Sequence, residues 1–172
     1  MILVRKLFTL VALFGALTTS AAAQTPVERG PSTAEERARV ATIVQASRKD
    51  PLGALAANAA WFEQWISAIP DYTLNADPVA KWCDRRATGE LRGATRFIYG
   101  TSAVDYQIKH NIPEPKTPAD VAAVSLAGLE GVLAAYEALL AKDPANRSRK
   151  MDAALVRRSK GELPAFVNEL GM

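Results

Sequence analysis

His110 is the only histidine and Cys83 the only cysteine among 172 residues, and this closes most routes to nucleophilic or metal chemistry. A Ser-His-Asp or Cys-His arrangement would have to use His110, and one His with one Cys cannot complete a zinc site. The chain also lacks the glycine-flanked serine of hydrolases, a phosphate-cradling glycine loop, a His-Glu-x-x-His helix, a dinucleotide glycine fingerprint and a haem-attachment pair of cysteines. No cofactor is expected on these grounds. What remains for catalysis is a trio without a motif, His110, Asp105 and Arg96, and this is the alternative to a non-catalytic reading.

The most site-like pattern is a strip on residues 90 to 110, formed by Arg92, Arg96, Tyr99, Tyr106 and His110. Arginines offer planar donors to a carboxylate or phosphate, and tyrosines offer flat faces with hydroxyls. The strip therefore suits an anionic or sugar-like ligand, and its plainer reading is an amphipathic rim of packed rings and wet guanidiniums. A second pattern is the basic run from Arg147 to Lys160, in which Arg147, Lys150, Arg157 and Arg158 stand with Arg149 and Lys160 against the single acid Asp152. Such a face favours an acidic partner protein through salt-sensitive attraction. Glu130 and Glu137 lie two turns apart on one helix, roughly 10 Å along the axis, and read as a solvated stripe. Trp61 and Trp65 flank an apolar stripe and read as core or interface, as aromatic side chains usually do.

These residues have to be positioned by helices, because hydrophobic spacing of three and four recurs and strict alternation does not. The best-defined element is the stretch from Thr117 to Asp143, where Val124, Leu129, Leu133, Tyr136 and Leu140 fall on a broad apolar arc. Its back is lined by small residues such as Ala123, Ala127 and Gly131, so a neighbouring backbone can come close. A helix apolar or small nearly all round is usually central. Thr117 caps it, Pro118 sits at its first position, and Asp143-Pro144 closes it.

Before it, a helix starts at Ser32 or Thr33, with Glu35 or Glu36 three residues on. Asp50-Pro51 opens the next, which runs to about Ile69 before Pro70. Residues 70 to 78 form a loop, and Asp77-Pro78 begins a short helix that carries Val79, Trp82 and Cys83 inward and stops at Gly89. Residues 90 to 110 read as helix, with Gly93 and Gly100 at one edge of the apolar face, where another helix could approach. Asp105 sits near that apolar side. After the proline-rich connection 111 to 118 and the long helix, a basic helix over 147 to 160 and a short one from Pro164 complete the chain.

The segment AAYEALLAKDPAN, residues 134 to 146, resembles the end of a tetratricopeptide repeat, with its aromatic, alanine-rich face and closing Asp-Pro. The resemblance spans one half-repeat. The first-helix Trp, Leu-Gly and Tyr positions are missing and no ~34-residue period extends upstream, so the segment is read as a helix ending in Asp-Pro.

The N-terminus sets the compartment. Arg5 and Lys6 precede the apolar run Leu7 to Leu17, and Ala21-Ala22-Ala23 follows a polar spacer, as in a secretory signal peptide cleaved after Ala23. The apolar run is shorter than the ~20 residues of a membrane span, so stable membrane insertion is not expected. Removing Arg5 and Lys6 lowers the formal charge from +3 to +1, 19 basic against 18 acidic residues, which gives no case for nucleic acid. A single thiol allows no internal disulfide, leaving Cys83 either buried or bridged to another molecule.

The expectation is thus a signal peptide over 1–23, a flexible lead-in over 24–31 and one all-α domain over 32–172, a single-domain bundle of about five or six helices around the 117–143 helix. Its expected role is that of an exported periplasmic or extracellular protein, a non-catalytic binding or interaction module in a bacterial-type envelope.

Overall fold

The computed structural model describes residues 29–74 and 77–171. The segment read as a signal peptide and the lead-in up to residue 28 lie outside the described residues, as do positions 75 and 76 of the loop before Asp77. Among the described residues the fold is all-α, a single bundle of seven α-helices with one 3-10 turn. The helices are α1 (Ala34–Ser47), α2 (Pro51–Ala68), α3 (Pro78–Arg86), α4 (Gly89–His110), α5 (Pro118–Lys142), α6 (Arg149–Ser159) and α7 (Leu163–Gly171), with the 3-10 turn at Pro144–Asn146 between α5 and α6.

Helix starts follow local chemistry. Thr33 and Glu36 form a reciprocal capping box, Thr33 Oγ1 accepting from the Glu36 N–H at 3.2 Å and Glu36 Oε2 from the Thr33 N–H at 2.9 Å. Asp77 and Thr117 accept from the N–H groups of Ala80 and Asp120, each ahead of a proline that has no N–H to lose. Asp50 differs. It occupies the cap position of α2, but makes no capping hydrogen bond and instead binds Lys142 Nζ at 2.9 Å. Gly89, expected to stop α3, is the first residue of α4 with φ +54°, and α3 ends at Arg86 with Ala87 as its extended C-cap.

The centre of the bundle is α4 rather than the 117–143 helix. In α4 13 of 22 residues are buried, against 10 of 25 in α5, and α4 is also the helix against which α1, α2, α3 and α5 all pack. Its composition disguises this, because Thr95, Thr101 and Gln107 are among its buried residues. Thr95 and Thr101 donate to carbonyls one turn back, Leu91 O at 2.8 Å and Phe97 O at 2.9 Å, and Gln107 Nε2 donates to Thr73 O at 3.0 Å. The two hydroxyls and the Gln107 amide N–H thereby avoid an unmet desolvation cost of roughly 1–3 kcal/mol each, whereas Gln107 Oε1 is buried without a partner among the described residues.

The α4–α5 pairing is the most extensive in the molecule, and two glycines of α5 make it possible. A Cβ on Gly128 would stand 2.6 Å from the Tyr99 ring, and one on Gly131 would stand 2.0 Å from Ser102 Oγ and 2.6 Å from Ser102 Cβ. Gly93, expected to admit a helix, faces open space, whereas Gly100 meets Leu74 and Phe62. On the other flank of α4, Phe62 meets Phe97 edge-on at 6.0 Å, and Trp65 is buried and stacked on Trp61 at 5.4 Å. α5 is long and apolar enough to cross a membrane, but its apolar face packs on α3, α4 and α7.

Candidate functional site

The α3–α4 corner gathers arginines from two helices, of which Arg85, Arg86 and Arg92 have no ion pair among the described residues. α3 ends with Arg85 and Arg86 in its last turn, and α4 turns back beside it so that Arg92 and Arg96, one helical turn apart, come alongside. Arg85, Arg92 and Arg96, with Asp84 and Gly93, line an open cleft of about 380 Å³. Arg96 Nε donates to Asp84 Oδ2 at 2.9 Å while its side chain remains 89% exposed. Among the described residues this is the only ion pair in the cleft. Three guanidiniums therefore face one carboxylate, and Gly93 adds no side chain to the floor.

The corner is held from two sides. Below it, Asp77 Oδ2 accepts from Tyr99 Oη at 2.5 Å and from Ser125 Oγ at 3.1 Å, joining α3, α4 and α5. Burial and the Asp77 carboxylate push the Tyr99 phenol far up, so it stays a neutral donor. Beside it, the 3-10 turn locks the start of α4: Asn146 Oδ1 accepts from the Glu90 N–H at 3.1 Å, and Thr88 Oγ1 donates to Asn146 O at 3.2 Å. Ser148 Oγ donates to Arg86 O at 2.8 Å, and the Ser148 N–H donates to the buried Tyr136 Oη at 2.9 Å. No known family model, curated protein or solved structure significantly matches the chain.

The strip expected on α4 divides. Arg92 and Arg96 are exposed together, but Tyr99 is 3% exposed and belongs to the Asp77 network. Tyr106 is half-buried and stacks on exposed His110 at 4.0 Å, about 20 Å further along the axis from Arg92 at 1.5 Å per residue. All five fall on one angular face, yet α3 and α5 cover its middle. The motif-free trio is not assembled either. Asp105 is buried and paired with Lys109 Nζ at 2.5 Å, and Arg96 lies about 13 Å away along the helix.

Three of the six basic residues in the 147–160 run are paired within the fold. Arg158 sits between Glu137 at 2.5 Å and Glu130 at 3.7 Å, and the Glu137 hydrogen bond is the main reason its guanidinium is held still more firmly charged. Arg157 pairs with Glu169 at 2.9 Å and lies over the Phe166 ring at 4.6 Å, and Arg147 pairs with Asp152 at 3.1 Å. Lys150 alone of those four has no ion pair among the described residues. The Glu130/Glu137 stripe is thus a half-exposed socket for Arg158 rather than a free solvated edge.

Cys83 is buried, and burial above all, with Asp77 and Asp84 adding to it, pushes its thiol far up. Among the described residues no group of three or more His, Cys, Asp or Glu is placed to hold a metal ion. Sequence reasoning missed Asp84 and Arg85 as neighbours of Arg92 and Arg96. The available signal was the density of arginine at positions 85, 86, 92 and 96, which a reading by single helices separates.

Proposed function

We propose that the protein is an exported, non-catalytic binding module that holds a phosphate- or sulfate-bearing ligand in the Arg85/Arg92/Arg96 cleft. The observation that carries this reading is the charge imbalance of the cleft. Arg92 and Arg96 are like charges one turn apart, an arrangement that by itself costs roughly 0.2–0.5 kcal/mol, and Asp84 compensates only one of them. An oxyanion between the guanidiniums removes the repulsion and receives paired N–H donors in the fork geometry that arginine presents. Rigid support from Asp77, Asn146 and Ser148 keeps the two helices in register. A periplasmic or extracellular location is supported by the charged, apolar and small-residue regions over 1–23.

The test is titration of the mature chain with inorganic phosphate and inorganic sulfate at low ionic strength, followed by calorimetry. Binding should weaken about tenfold or more in Arg92→Ala and in Arg85→Ala, equivalent to ~1.4 kcal/mol each, and should fall steeply with added chloride. Absence of binding, or binding indifferent to both substitutions, rejects the cleft as the site. Cell fractionation with N-terminal sequencing tests export; a chain retained in the cytoplasm with residue 1 intact rejects it.

A further inference from the structure

A second groove, on the opposite end of α4, has a different character. It runs between the C-terminal end of α1, the second half of α4 and the first half of α5, and encloses about 350 Å³, within the size of small-ligand sites at roughly 300–1,000 Å³. Ala123 and Ala127 keep the α5 wall low, and Leu126 supplies apolar surface. Around it stand charges of both signs: Arg48 and Lys109 on one hand, Asp105 and Glu130 on the other. Tyr106 closes one side.

Several of these groups have unspent capacity. Arg48 makes no ion pair among the described residues, and the hydroxyls of Ser102 and Tyr106 have no hydrogen-bond partner there although both line the groove. Asp105 is buried, with one lysine as its only partner among the described residues. A carboxylate offers about four lone-pair sites, so a single ammonium leaves most of them open. Glu130 holds Arg158 only at 3.7 Å and remains 43% exposed in its side chain. A pocket kept by hydrophobic packing alone would have no reason to gather two cations, two anions and two free hydroxyls over an apolar wall.

We infer that this groove binds a zwitterion of the amino-acid or dipeptide class, its ammonium directed to Glu130 and the open lone pairs of Asp105, its carboxylate to Arg48, and its side chain laid against Tyr106 and Leu126. Charge-assisted hydrogen bonds of opposite polarity, to Arg48 and to Glu130, fix the ligand's direction, and the limited volume restricts its length. The site is independent of the arginine cleft, since it shares no residue with it.

The experiment uses the mature chain, labelled for amide NMR, and the dipeptide glycyl-phenylalanine. Its N-acetyl and C-terminal amide derivatives provide the comparison. The expected result is a saturable perturbation centred on residues 102 to 109, weakened about tenfold or more when either terminus is blocked, a loss of ~1.4 kcal/mol. Arg48→Ala, an exposed position at the end of α1 whose loss leaves the core intact, should weaken the zwitterion about tenfold yet leave the amide derivative unchanged. Arg92→Ala should affect none of the three. No saturable shift up to about 10 mM, equal binding of the blocked forms, or an Arg48→Ala effect that does not depend on the ligand's carboxylate overturns the assignment.

Discussion

Two glycine-to-alanine substitutions should have opposite signs, and the difference follows from where a single methyl group lands. In Gly131→Ala the new Cβ stands 2.0 Å from Ser102 Oγ and 2.6 Å from Ser102 Cβ. The hydroxyl can rotate away, but the Ser102 Cβ is fixed to the α4 backbone, so the two helices must separate by tenths of an ångström at their main interface. Overpacking of this kind costs about 1–3 kcal/mol, and a contact between two backbone-anchored carbons belongs in its upper half. Alanine returns ~1 kcal/mol of helix propensity, for a net loss of about 1–2 kcal/mol. In Gly93→Ala nothing lies within 4 Å of the new atom, and the propensity gain of roughly 0.5–1 kcal/mol stands unopposed. The assay is equilibrium urea unfolding of the mature chain followed by tryptophan fluorescence, read with an unchanged slope against denaturant. The two variants should lie on opposite sides of the parent, separated by about 1.5–3 kcal/mol in unfolding free energy. Adding Ser102→Gly should relieve the clash and make the Gly131 effect non-additive by ~1 kcal/mol or more. A Gly131→Ala protein as stable as the parent, or a destabilised Gly93→Ala protein, refutes the packing argument.

The remaining predictions concern groups with defined surroundings. Cys83 should resist aromatic disulfide reagents in the folded chain at mildly alkaline pH and react at once in denaturant, because its thiol is both buried and pushed up; fast labelling of native protein contradicts this. Tyr136→Phe removes the acceptor for the Ser148 N–H and the donor to Asp152 Oδ1 at 2.7 Å, leaving a buried N–H unmet. It should cost about 1–3 kcal/mol in urea unfolding, and a loss below ~0.5 kcal/mol would show that water replaces the hydroxyl. Glu36 has its carboxyl held below the ordinary value, chiefly by the Thr33 N–H and also by Arg29. The sign follows from its folded value lying below its unfolded one: the added stability is full above the unfolded value and lost as pH falls through the folded one. Glu36→Gln should therefore be less stable than the parent at neutral pH, with the gap closing in acid; a gap that widens in acid excludes this linkage.

Local chemistry made much of the architecture legible. Thr33, Asp77 and Thr117 announce helix starts within four residues of themselves, and Asp143-Pro144 closes α5 because proline cannot continue the helix while Asp143 Oδ1 caps the next turn at Ala145 N. The rank order of the helices was not legible in the same way. Hydropathy favours α5, whereas centrality depends on which polar side chains find partners, and Thr95, Thr101 and Gln107 find theirs on carbonyls that periodicity does not count. The site was half legible. Arg92 and Arg96 were visible as one turn of helix, but a helical wheel has no axial coordinate, so it grouped Tyr99 with them although Asp77, 22 residues away, draws its hydroxyl inward. Arg85 joins the cleft only through the reversal at Thr88-Gly89, a property of the corner rather than of either helix.

The two basic regions show why counting charge along a sequence is a poor guide to a binding face. From Arg147 to Lys160 six basic residues stand against one acid, and by density this is the more cationic segment. Part of its excess is answered from elsewhere in the fold, where Glu130 and Glu137 come from α5 and Glu169 from α7, while Arg149, Lys150 and Lys160 have no ion pair among the described residues. Those pairs are part-exposed and individually worth little, ~0–1 kcal/mol, yet each one occupies donors that an incoming anion would have to win. At the α3–α4 corner the helices bring arginine to arginine, with Asp84 the only acid in the cleft. Free donors at short range, rather than net charge, decide where an oxyanion gains most. The substitution pair that separates the two surfaces is Arg92→Ala against Arg157→Ala: the first should abolish most anion binding and spare stability, and the second should spare binding.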